Sequence, residues 1–64
     1  MPSIAILQEA KQLYIVSDRL DSLAEQLPSV SEALLVISGN VRNTATLLEV
    51  LVATKMSSFS GFDP

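Results

Sequence analysis

Any chemistry in this chain would have to do without thiols and imidazoles, because its 64 residues include no Cys and no His. That removes disulfides, thiolates and the side chain best placed to gain or lose a proton near neutral pH. A zinc site would need carboxylates alone, and the metal-carboxylate helical bundles also draw on Glu-x-x-His. The seven Asp and Glu residues are scattered along the chain instead of grouped. No catalytic, cofactor-binding or metal-ligating residue is therefore expected, and the protein is read as non-catalytic. Arg19 and Arg42 are isolated, so neither an anion clamp nor a DNA-reading helix is supported.

The densest polar stretch is Ser38, Asn40, Asn43, Thr44 and Thr46, which helical spacing turns toward Ser17 and its neighbours. Two readings compete. The belt could line a small-ligand pocket together with Tyr14, or it could be a polar layer that sets register and oligomeric state, as one buried Asn does in coiled coils. No convergent charges accompany the amides, which favours the register layer, built from Ser17, Asn40 and Thr44.

Two helices must position these residues. Pro28 lacks a backbone N–H and disfavours helical geometry in the residue before it, so the first helix should end near residue 27. Ser29-Val30-Ser31-Glu32 then has the form of a capping box, Ser-x-x-Glu, from which a second helix would start. The expected elements are a helix over about 3–27, with Ser3 as N-cap, and a second over about 30–56. In the first, Ile6, Leu13, Val16, Leu20, Leu23 and Leu27 alternate at the spacings that keep one stripe facing a partner. Leu34, Ile37, Val41, Leu48 and Leu51 continue the pattern in the second. Folded back antiparallel, Leu23 meets Leu34 and Val16 meets Val41, which predicts an all-α, coiled-coil-like helical hairpin over 3–56. Beside the stripe, Ala10, Ser17 and Ala24 form a heptad column of small residues that would let another helix approach closely. Glu9 is the single carboxylate on the stripe.

Gly39-Asn40 is the weak point, since Gly in a helix interior costs about 1 kcal/mol relative to Ala. A continuous or kinked helix is expected there, with a break into three helices as the alternative. A β-hairpin around Gly39-Asn40 would leave strands too short to be stable alone. Residues 57–64 lack periodicity and read as a flexible C-terminal tail carrying Phe59 and Phe62.

The hairpin holds more apolar residues than one stripe needs. Ile4, Leu7, Tyr14 and Ile15 in the first helix, and Leu35, Leu47, Val50 and Val52 in the second, lie off it and collect toward the open end. With Phe59 and Phe62 they make an expected partner interface. The simplest closed solution is a homodimer forming a four-helix bundle, with a heteromeric protein partner as competitor. The function expected is that of an assembly, adaptor or regulatory module acting through self-association and protein–protein contact. A small-ligand-binding bundle using Ser38–Thr46 is the alternative.

The net charge of −3 and pI near 4.4 leave no basic surface for nucleic acid or anionic lipid. No apolar run approaches the ~20 residues of a membrane span, and the N-terminus lacks the basic region of a secretory signal. Neither nucleic acid nor membrane is expected as a partner, and a cytoplasmic location is.

Overall fold

Pro28 ends the first helix as its chemistry requires: Leu27 before it is extended (φ −123°, ψ 78°) and the helix stops at Gln26. The computed structural model describes residues 3–56, and over them the chain runs α1 (Ser3–Gln26), a 3-10 turn (Pro28–Val30), α2 (Ser31–Leu51) and a closing π-helical turn (Val52–Met56). The expected tail over 57–64, with Phe59 and Phe62, lies outside the described residues. Side-chain hydrogen bonds join Tyr14 to Thr46 and Asp21 to Ser38, so α2 returns antiparallel along α1 as a helical hairpin.

The capping box does not form, and this corrects the reading of Ser29-x-x-Glu32. Ser29 sits inside the 3-10 turn, where it cannot take the extended backbone of an N-cap. Val30 precedes α2 instead, without a side-chain cap bond. Backbone groups close the reversal: Val30 N–H donates to the Leu27 carbonyl at 3.0 Å, and Ser31 N–H to that of Pro28. A turn this tight uses its own carbonyls where a longer loop would recruit a side chain.

Helix α2 passes through Gly39 without a break. Gly39 is exposed and an added Cβ would meet nothing within 4 Å, so no neighbour explains the absence of a side chain. The cost of one glycine is absorbed by a helix of 21 residues packed along its length.

The expected central stripe is displaced. The fully buried residues are Ala10, Ser17 and Ala24 on α1, and Ser38 and Ala45 on α2. They recur at heptad spacing on both helices, so the small column seen beside the stripe is the line of contact. Val16, Leu23, Leu27, Ile37 and Leu51 are exposed, whereas Ile6, Leu13, Leu20, Leu34, Val41 and Leu48 are half-buried. The cause is helix spacing. Axes approach to about 8 Å over small side chains and stand nearer 10 Å over large ones, and the short side chains along this line hold the backbones together while the large apolar residues flank the contact.

Candidate functional site

Four of the five small positions on the contact line are bracketed in the same way. Four residues after Ala10, Ser17, Ser38 and Ala45 stand Tyr14, Asp21, Arg42 and Glu49. Four residues before them stand Ile6, Leu13, Leu34 and Val41, with Leu20 before Ala24. In an antiparallel pair the same offset falls on the same side of both helices, because each turn of about 3.6 residues advances in opposite senses along the common axis. The hairpin thus has one mainly polar edge, which also carries Leu7 and Leu35, and one apolar face.

The polar edge is a clamp. Asp21 uses both carboxylate oxygens on α2: Oδ1 accepts from Ser38 Oγ at 2.6 Å and Oδ2 from Arg42 Nη2 at 3.0 Å. Arg42 Nη2 also reaches Asp18 Oδ1 at 3.4 Å. Behind it, Ser38 Oγ lies 3.0 Å from Ser17 Oγ and 3.0 Å from the Ser17 carbonyl. One turn toward the open end, the Tyr14 hydroxyl donates to Glu49 Oε1 at 3.0 Å and contacts Thr46 Oγ1 at 3.0 Å. The hydrogen bond from Ser38, reinforced by the hydrogen bond from Arg42 and its charge, holds the Asp21 carboxyl below the usual range against a smaller opposing effect of desolvation. The Asp21 hydrogen bond is likewise the main cause of the raised pKa of Arg42.

These partners tie the clamp's groups to one another across the two helices. A carboxylate whose basicity is lowered by the Ser38 hydrogen bond and then by Arg42 is a poor base for the adjacent hydroxyl, and Ser38 is sealed between the helices. Every buried side-chain polar atom among the described residues has a partner. No group of three metal-ligating side chains gathers among them either.

The expected polar layer is therefore rebuilt from different residues. Ser17 belongs to it, but Asn40 and Thr44 are exposed, and the Thr44 hydroxyl donates to the Asn40 carbonyl of its own helix. The stripe pairing would have set Ser17 opposite Asn40; the structure sets it against Ser38. Thr46 donates to the Arg42 carbonyl and meets Tyr14 at the polar edge. At Ser17 and Ser38 the helices close on each other, the two hydroxyls standing 3.0 Å apart.

The apolar face was legible only as a stripe. Its inner rows are the half-buried Ile6, Leu13, Leu20, Leu34, Val41 and Leu48; its outer rows carry the exposed Val16, Leu23, Val30 and Ile37, interrupted by Glu9 and Thr44. Of the expected interface residues, Ile4 is 66% and Leu47 58% exposed, and Leu7, Ile15, Leu35 and Val50 are exposed as well. Tyr14 and Val52 are half-buried, with Tyr14 in the clamp.

The chain matches no family model, no curated protein and no solved structure. Among the described residues no helix is long and apolar enough to cross a membrane.

Proposed function

We propose that this is a non-catalytic helical module that acts by associating with other helices, beginning with copies of itself, in the manner of an assembly or adaptor protein. One observation carries the reading. Thirteen large apolar side chains among the described residues are exposed, whereas the fully buried apolar side chains are three alanines. A lone hairpin with that balance hides little surface from water, and apolar burial is the main favourable term in folding. Association covers part of that exposed surface.

The polar contacts support the same reading. They link α1 to α2, so they fix the hairpin in one register. Sedimentation equilibrium across the micromolar range tests the proposal. A helical species heavier than one chain, dissociating on dilution, is expected; a folded monomer throughout refutes it.

A further inference from the structure

We infer that a second copy of this chain covers the apolar face, stacking on it to give a four-helix bundle with both clamps turned outward. This rests on the association proposed above and says where it occurs. The hairpin is one layer of helices, and a domain closes its core only when a second layer meets the first. Among the described residues, only the side bearing Val16, Leu23, Val30 and Ile37 has apolar rows from both helices, unbroken along Ile6, Leu13 and Leu20 and along Leu34, Val41 and Leu48, and interrupted in the outer rows at Glu9 and Thr44. The opposite edge carries Asp18, Asp21, Arg42 and Glu49.

Three considerations select a second copy as the occupant. The first is area. A face about 36 Å long, from 24 residues at 1.5 Å each, and roughly 20 Å across two helices, covers on the order of 700 Å². Two such faces bury about 1,400 Å², within the range of stable interfaces. The second is charge: the rows contain one ionisable residue, Glu9, so a charged partner would find nothing to pair with, while a net charge of −3 on each copy is best kept on the outer edges. The third is periodicity, since a bundle layer needs apolar rows at heptad spacing on both helices and this chain supplies that face itself. The stacking leaves Ile4 and Leu47 outside, which departs from an interface gathered at the open end.

The absence of Cys makes the test direct. Single substitutions Val16→Cys and Ile37→Cys report on the face; Ile4→Cys and Leu47→Cys report on residues outside it. Labelling by a small maleimide is followed at concentrations below and above the association midpoint. On association, the rates at Val16→Cys and Ile37→Cys should fall at least about tenfold, as for groups reached only after an opening step, and those at the other two should stay within about twofold. Protection at Ile4→Cys and Leu47→Cys with none at the face overturns this placement and leaves the self-association reading standing. A wild-type chain that never associates overturns both. In a second arm, the double substitution Leu23→Lys with Ile37→Lys should weaken association about 100-fold or more; wild-type affinity in that variant would also overturn the inference.

Discussion

Replacing Ala45 by leucine separates the observed packing from the one read off the apolar stripe. Ala45 is 0% exposed and lies on the small contact line of α2, with Ala10 on the facing helix. Leucine there needs the axes to part by up to about 2 Å, the difference between small-residue and large-residue helix spacing. Ser17 Oγ and Ser38 Oγ, one heptad away, now stand 3.0 Å apart, and Arg42 Nη2 stands 3.0 Å from Asp21. An added 2 Å, or even half of it, takes both beyond hydrogen-bond reach. Overpacking costs about 1–3 kcal/mol and each of the two lost hydrogen bonds about 1 kcal/mol, so the variant should lose about 3–5 kcal/mol. A core this small supplies rarely more than about 3–5 kcal/mol, so most of the folded population should be lost. Urea denaturation followed by far-ultraviolet circular dichroism, at matched concentrations of variant and wild type, reads the effect. Had the large residues met between the helices, with the small column at their side, leucine would fill space and raise the midpoint. An unchanged or raised midpoint refutes the close approach.

Two other changes bear on separate parts of the structure. Gly39→Ala should stabilise the protein by about 1 kcal/mol, raising its melting temperature by roughly 4–8 °C, because the site is helical, exposed and open; a lowered melting temperature would reveal a neighbour against that face. The lowered pKa of Asp21 predicts acid sensitivity. Its contribution is complete above the unfolded aspartate value of about 3.9 and is lost as pH falls through the lower folded value. Wild type should therefore lose melting temperature in acid more steeply than Asp21→Asn, and parallel pH profiles for the two would show that the clamp adds nothing.

The hairpin was legible because its signals are local. Pro28 ends a helix in any context, and heptad spacing over two long segments leaves few other folds. Which heptad column becomes the contact was not legible, because columns adjacent on a helix share one period. The Leu and Val stripe and the Ala10, Ser17, Ala24 column therefore read as equally regular. Hydrophobicity ranks the first higher; the distance between backbones, a property of two helices together, selects the second. The clamp had a faint signal that a stripe-centred reading passes over: Asp21 and Arg42 stand at the same offset from Ser17 and Ser38, with opposite charges. Ser29-Glu32 failed as a cap for a comparable reason, since the motif is local but the turn is shaped by the need to bring two helices close.

These displacements have a common consequence for how the chain can act. If the large apolar residues had filled the space between α1 and α2, the hairpin would have spent its hydrophobic surface internally and met its surroundings with charge. Serine and alanine do that work instead, aided by hydrogen bonds from Ser38 and Arg42 to Asp21. Val16, Leu23 and Leu27, with Val30, Ile37 and Leu51, are left as a surface, while Ile6, Leu13, Leu20, Leu34, Val41 and Leu48 flank the contact half-buried. Polar and small groups hold the two helices to each other, and the exposed apolar groups are the ones the proposed contact with a second pair would use. The two tasks fall on different columns of the same heptads, so enlarging Ala45 should disturb the hairpin before the contact surface, and charging Leu23 and Ile37 the contact surface before the hairpin.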